Sequence, residues 1–411
     1  MVYLHLTRKG NEDAYALIDS VMAGSEMGAL QKLFTAHGAA YLEHFGQTMP
    51  AVHRKVMAAI VGCRTGQAGS LLCACAACGQ AHVLPRSCGN RHCPTCQGRK
   101  AFVWLERQLQ RALPTHHLML TVTVPEALRS FLRSKQRIGY EALFAASAGA
   151  IRALARQPRF NLGDQPGFFG VLHTWGRTLN YHPHIHYVVP GGALSSDDRQ
   201  WHASSAGFYL PVHALSAVFR GKFRDAIDRA GLIDEVPGEV WKSPWNVNCQ
   251  PVGNAANTLG YLARYVFKVA ISDQRILGIE DGRVCFAYTK PGSNPRRTMV
   301  LPLQEFIRRF LQHVLPHGFM KVRHYGILSP TFGVPLEEIK ARVKMAHRFA
   351  TKPVDTDISA PAPMPMGCSR CGAALKFLRV LRPTPQRPRP LPAPGAPRSP
   401  NPALSTFAAG P

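Results

Sequence analysis

Apolar side chains recur every three or four residues through "ALQKLFTAHGAAYLEHF" (29–45) and "PAVHRKVMAAIVGC" (50–63), the period of helices with one buried face. "AFVWLERQLQRALP" repeats the pattern until Pro114 stops it, and "SKQRIGYEALFAASAGAIRALARQP" predicts a long helix. Between these two, "HHLMLTVTVP" reads as a strand. "GFFGVLHTW" is apolar enough for a buried strand, and "YHPHIHYVVP" alternates with period two until Pro190, Gly191 and Gly192 end it. The turn-forming stretch from Gly176 to Asn180 joins these two strands into a hairpin. Further along, "YLPVHALSAVFRGKFRDAIDRAG" is an amphipathic helix, "WNVNCQPV" a short strand, and 254–270 a helix. A small β segment ("RVCFAYTK", "RRTMVLP") and the helix "LQEFIRRFLQHVL" follow. Strands and helices in this order predict an α+β protein with a hairpin-bearing antiparallel sheet. No internal repeat is evident.

The hairpin raises a chemical question. His184 and His186 alternate, so they share one strand face while Ile185 turns to the other. Folding the hairpin about Thr178 and Leu179 sets His173 opposite His184, and opposed residues project from the same face. His173, His184 and His186 are therefore candidate ligands of one divalent metal, with coordination positions left for water or substrate. His182 and Asn257 are the alternatives for the third place. Zinc can use such a set, but an open site that bridges a phosphate oxygen more often takes magnesium or manganese.

Composition sharpens the reading. Forty-nine lysines and arginines against 24 acidic residues give a net charge of +25, which calls for a polyanionic partner, nucleic acid before a membrane surface. No apolar run reaches the roughly 18 residues that span a bilayer and no signal-peptide core opens the chain, so a cytoplasmic protein is expected. Eleven cysteines in a reducing compartment point to zinc rather than disulfides. Cys75-x2-Cys78, fourteen residues, then Cys93-x2-Cys96 match the two knuckles of a zinc ribbon, with Cys88 and His92 as additional or substitute ligands. Cys63 and Cys73 lie near enough to compete, whereas Cys368-x2-Cys371 looks like half a site. The basic run "FMKVRHYGIL" divides evenly between phosphate contacts and a solvated face. From about 350 onward Pro, Ala, Arg and Ser dominate, which predicts a largely disordered basic tail.

Tyr261 and Tyr265 in the helix of 254–270 sit one turn apart, a spacing that aromatic packing alone would explain. Beside a three-histidine metal, a zinc module and a large positive charge they take on another meaning: a nuclease that transfers DNA strands through a tyrosine nucleophile.

"LHTWGRTLNYHPHIHYVVPGG" with "YLARY", preceded by "CRTG" and "SCGNRHCPTCQGRK", closely resembles the HUH-type, two-tyrosine transposases of the insertion sequence ninety-one family. The resemblance runs over most of residues 30 to 350. It implies an N-terminal zinc-binding domain followed by an HUH endonuclease, acting on single-stranded or hairpin DNA ends of a bacterial mobile element by rolling-circle transposition. His184 and His186 fall on the family's HUH pair, and Tyr261 and Tyr265 on its two tyrosines. His173 rests on the hairpin register, supported by a similar third histidine in conjugative relaxases. The expected domains are N-terminal helices with the zinc module over 1–105, the nuclease over 112–272, a basic C-terminal region over 273–350 and the tail over 351–411. A plasmid replication initiator or relaxase would share the active-site chemistry, and a non-catalytic zinc DNA-binding regulator would share the charge and the cysteines. A cupin-like metal site would need a glutamate soon after the histidine pair, and "YVVPGGALSSDD" supplies none.

Overall fold

The computed structural model describes residues 27–160, 162–197, 199–253, 270–289, 295–346 and 367–383, apart from the side chains of 98–102 and 253. Helices α1 (Ala29–Phe45) and α2 (Ala51–Val61) lead into strands β1 (Ser70–Cys75) and β2 (Ala81–Pro85), then α3 (Pro94–Arg111). Next come β3 (His117–Thr123), α4 (Arg129–Ser134), α5 (Gln136–Ala155), β4 (Gln165–Pro166), β5 (Phe168–Trp175) and β6 (Tyr181–Pro190). They are followed by β7 (Gly192–Leu194), β8 (Trp201–Ala203), α6 (Val212–Arg229), α7 (Glu239–Lys242) and β9 (Asn246–Gly253). The described chain closes with β10 (Ile276–Glu280), β11 (Arg283–Thr289), β12 (Arg296–Pro302), α8 (Leu303–Leu311), β13 (Val322–Tyr325), α9 (Leu336–Ala346) and β14 (Leu375–Leu381). The mixed helix and antiparallel-sheet class expected from patterning is what these elements build.

A five-stranded sheet in the order β13-β5-β6-β3-β9 is the centre of the molecule, and every neighbouring pair in it is antiparallel. Period-two alternation gives it two unlike faces. Leu118, Leu120 and Val122 of β3 and Tyr181, Ile185, Tyr187 and Val189 of β6 point inward. There they bury against Tyr140, Leu143 and Phe144 of α5 and Phe219 and Phe223 of α6. The opposite face carries the histidines. Toward its far end Phe169, Val171 and Val188 pack under Leu105 and Leu109 of α3 and Ile339 and Val343 of α9, so only the histidine end of this face stays open.

Three long-range pairings join the segments expected from sequence. The basic run around 322–325, read from sequence as phosphate contacts or a solvated face in equal measure, contains β13, which pairs with β5 as an edge strand of the central sheet. The N-terminal helices and the 273–350 region share a hydrophobic core. Leu30, Phe34, Met57 and Ile60 share one core with Val284, Phe286, Phe306 and Phe310, and the Phe34 and Phe310 rings meet edge to face at 5.5 Å. Finally, within 351–411, expected as a largely disordered Pro-rich tail interrupted by "CSRCGAALKFLRVL", β14 pairs antiparallel with β1 and makes it the middle strand of β14-β1-β2. Local patterning misses all three because the partners lie far apart in sequence.

Candidate functional site

The hairpin of β5 and β6 pairs His173 with His184, the register that its turn predicts, and slips by one residue nearer the tip, where Trp175 faces Tyr181. With His186 two places along β6, the three imidazoles converge: one ring nitrogen from each of His173, His184 and His186 lies within 4.8 Å of the others. Among the described residues no carboxylate or thiol joins this set. His184 Nδ1 stands 2.7 Å from the carbonyl of His182, to which it donates, so Nε2 keeps its lone pair for a ligand role. His186 Nδ1 meets Thr121 Oγ1 at 2.9 Å, the same kind of outer support, because β3 places Thr121 opposite His186. Burial, then the neighbouring His186, pushes the His184 imidazole down to about 3, and burial, then His182, pushes His186 down to about 4. Both rings are thus neutral near pH 7, the state a metal needs. His182 lies on the same face, but Arg129 Nη2 donates to its Nδ1 at 2.8 Å and it is not in the converging set. Tyr261, Tyr265 and Asn257 lie outside the described residues.

The histidines floor a cleft of about 650 Å³ whose other wall comes from β11 and β12, with Arg177, Arg275, Arg296 and Tyr288 around it. This wall is held to the hairpin tip. Arg275 Nη2 donates to the Arg177 carbonyl at 2.6 Å, and Arg177 Nη1 to the Thr289 carbonyl at 2.9 Å. Arg309 Nη1 and Gln312 Nε2 reach the carbonyls of Thr178 and Leu179 at 3.2 and 2.8 Å. Leu179 adopts φ of +62° and is wholly buried, so packing holds a leucine in a conformation it rarely adopts. Guanidinium groups with a half-buried aromatic ring beside a metal-binding floor suit a phosphate backbone.

The expected grouping of Cys75, Cys78, Cys93 and Cys96 in one site is corrected. The eleven cysteines are free thiols, and eight of them gather in two separate groups of four. Cys93 and Cys96 join Cys63 and Cys88, with Sγ separations of 3.6 Å (Cys63 to Cys96), 3.5 Å (Cys88 to Cys96) and 3.8 Å (Cys63 to Cys93). Cys75 and Cys78 instead face Cys368 and Cys371. The cause is local: Pro94 starts α3 immediately after Cys93, so Cys93-x2-Cys96 is a helix entry turned into the core rather than the second knuckle of a ribbon. Cys88, held as a substitute ligand, takes part. His92 does not, its Nε2 lying 3.4 Å from the Leu315 amide, which donates to it. Cys63 was one of several competing thiols in sequence, with no spacing signal to single it out. Four thiols at the corners of a small tetrahedron fit zinc, whose Zn–S bonds of roughly 2.3 Å put sulfurs about 3.8 Å apart.

Residues 33–124 match the family described as "Transposase zinc-binding domain", that of IS91-type elements, and residues 167–333 match the family described as "Putative transposase". The "Putative transposase y4qJ" of Sinorhizobium fredii is 37% identical over 317 residues, 72% of this chain and 79% of the relative. The "Transposase for insertion sequence element IS801" of Pseudomonas savastanoi pv. phaseolicola is 26% identical over 384 residues, 86% of this chain and 90% of the relative. No solved structure matches. No described helix is long and apolar enough to cross a membrane. With a zinc-binding module of clustered cysteines ahead of a histidine-lined basic cleft, the chain belongs to the IS91 family of transposases, enzymes that process DNA.

Proposed function

We propose that this transposase is an HUH endonuclease that cleaves and rejoins single-stranded DNA at the ends of a bacterial insertion sequence, through tyrosine attack, in rolling-circle transposition in the cytoplasm. The observation that carries this reading is the convergence of His173, His184 and His186 within 4.8 Å on the floor of a basic cleft. These rings would hold a divalent ion, which when bound would neutralise a nonbridging oxygen of the scissile phosphate and make the phosphorus more electrophilic. Of magnesium and manganese, three imidazole nitrogens suit manganese better, since magnesium prefers oxygen ligands.

The nucleophiles are Tyr261 and Tyr265. A phenol loses its proton as its oxygen bonds to phosphorus, the bond from phosphorus to the 3′ oxygen breaks, and that oxygen leaves as a hydroxyl once protonated. The 5′ phosphate stays esterified to tyrosine. A 3′ hydroxyl attacking the same phosphorus expels the phenol and reseals a strand, with no net loss of phosphodiester bonds and no nucleotide cofactor. Their four-residue spacing, on the helix expected from sequence, would bring both phenols to one side, so that one could hold a 5′ end while the other cuts again. Arg177 and Arg296 would grip the strand through its phosphates, and Tyr288 offers a base a stacking surface. The Cys63, Cys88, Cys93 and Cys96 set would bind the structural zinc of the N-terminal domain.

A single-stranded oligonucleotide carrying one element end, incubated with the protein and manganese, tests the proposal. Nicking and a covalent DNA adduct are expected. His184→Ala should abolish both while much of the DNA binding through the basic surface persists. Tyr261→Phe and Tyr265→Phe should each retain some nicking but lose most strand transfer, and the double change should form no adduct. An adduct in the double variant, or full activity in His184→Ala, would sink the scheme. Binding without any cleavage by the unaltered chain would favour a DNA-binding regulator.

A further inference from the structure

The second group of four cysteines draws its members from the two ends of the described chain. Cys75 and Cys371 sulfurs are 3.4 Å apart, Cys78 and Cys371 3.6 Å, and Cys78 and Cys368 3.7 Å, although Cys78 and Cys368 are 290 positions apart in sequence. The zinc-binding family match ends at residue 124, well short of the second pair.

The two half-sites are built alike. "CAACG" and "CSRCG" each place a glycine directly after the second cysteine, and Gly79 and Gly372 take φ of +71° and +73°, a conformation that favours glycine. Gly79 N–H donates to the Cys75 carbonyl at 3.1 Å, and Gly372 N–H to the Cys368 carbonyl at 2.8 Å. Cys75 N–H donates to the Gln80 carbonyl at 2.9 Å and Cys368 N–H to the Ala373 carbonyl at 2.7 Å, the same step along each loop. Backbone amides also turn onto sulfur: Cys78 N–H to Cys75 Sγ and Arg370 N–H to Cys368 Sγ, both at 3.4 Å. Such amides stabilise thiolates, and His82 Nε2, 3.2 Å from Cys368 Sγ, adds a side-chain partner. One knuckle thus occurs twice, and the antiparallel pairing of β1 with β14 brings the copies together with Cys75 opposite Leu375.

We propose that Cys75, Cys78, Cys368 and Cys371 bind a second zinc ion, separate from the one assigned to Cys63, Cys88, Cys93 and Cys96, and that this ion clasps the C-terminal segment onto the N-terminal ribbon. Two observations support zinc over a chance gathering of thiols: the repeated knuckle and the sulfur separations near those of a zinc tetrathiolate. The ion has structural work to do here. Among the described residues the ribbon core is Leu71 and Cys73 with Leu84 and Leu375 packed on them, too little apolar surface to hold three strands unaided. The metal also closes a loop that contains the central sheet, so docking of β14 and metal binding become one event. This assignment does not depend on the tyrosine chemistry, and its test reads metal content rather than cleavage.

The full chain, purified without chelator, should contain two zinc ions by elemental analysis. Cys368→Ser with Cys371→Ser should bring this to one, and Cys75→Ser with Cys78→Ser should do the same. All four changes together should still leave one, because both pairs serve a single ion. Cys371→His, which keeps a ligand, should retain two and shift the absorption bands when cobalt replaces zinc. In that variant protease cleavage between β1 and β14 should stay slow, whereas in the double serine variants it should quicken at least tenfold. One zinc in the unaltered chain, two in the Cys368→Ser, Cys371→Ser variant, or zero with all four cysteines changed would each overturn the clasp.

Discussion

At the scale of single residues the site depends on groups that do not themselves face the substrate. Thr121 is the clearest. Its hydroxyl meets His186 Nδ1 at 2.9 Å and fixes which ring nitrogen points into the cleft. Removing such an outer partner costs roughly 10–100-fold in metal affinity in known sites. Thr121→Val, nearly equal in volume, should therefore weaken manganese binding by about that factor while leaving unfolding stability close to unchanged. Calorimetric titration of the metal measures it, and unaltered affinity would mean that packing alone orients His186. Sequence could point to His184 and His186 because their alternation is local. It could not point to Thr121, whose relation to His186 exists only through the pairing of β3 with β6.

At the scale of elements the hairpin joins the parts of the molecule. Its strands were legible because both carry β-rich patterning bounded by turn residues, and the register followed from the turn. What patterning does not disclose is that the tip is clamped. Leu179 pays for its positive φ by burying its side chain in the core formed by α1, α2, β11 and α8. Leu179→Gly relieves backbone strain of about 1 kcal/mol but removes a buried leucine worth roughly 2–5 kcal/mol, so the balance should be destabilising by about 1–4 kcal/mol. Denaturant unfolding would show it. A stabilised variant would mean that the tip is strained without being anchored. The cysteine elements teach the converse lesson. Cys75-x2-Cys78 and Cys93-x2-Cys96 share a spacing but not a structure, and the residue that follows separates them, Gly79 for a knuckle and Gln97 within a helix.

At the scale of the whole molecule, the first and last described segments fold onto the middle of the chain. The N-terminal helices and the 273–350 region form one core, so a piece containing only 112–350 would expose Phe286, Phe306, Ile307 and Phe310 to water. Such a piece should be insoluble or rapidly proteolysed, and a hydrophobic dye should bind it. A soluble, protease-resistant 112–350 fragment would mean that the shared core is dispensable. The large positive charge, by contrast, needs no fold to be read, because net charge is a sum over residues.

Sequence by itself determined the class of the protein, four of the five strands of its central sheet, the histidine face and the resemblance to transposases, since periodicity, turn chemistry and motif spacing are all local properties. Only the tertiary structure decided which cysteines meet, that β13 extends the central sheet and β14 the cysteine ribbon, and that the N-terminal helices share a core with distant segments. These are long-range pairings, chosen by the burial and packing of the assembled chain. A C-x2-C pair specifies a geometry for two ligands but carries no address for the other two. Cys368 and Cys371 become half of a four-thiol site only when β14 reaches β1.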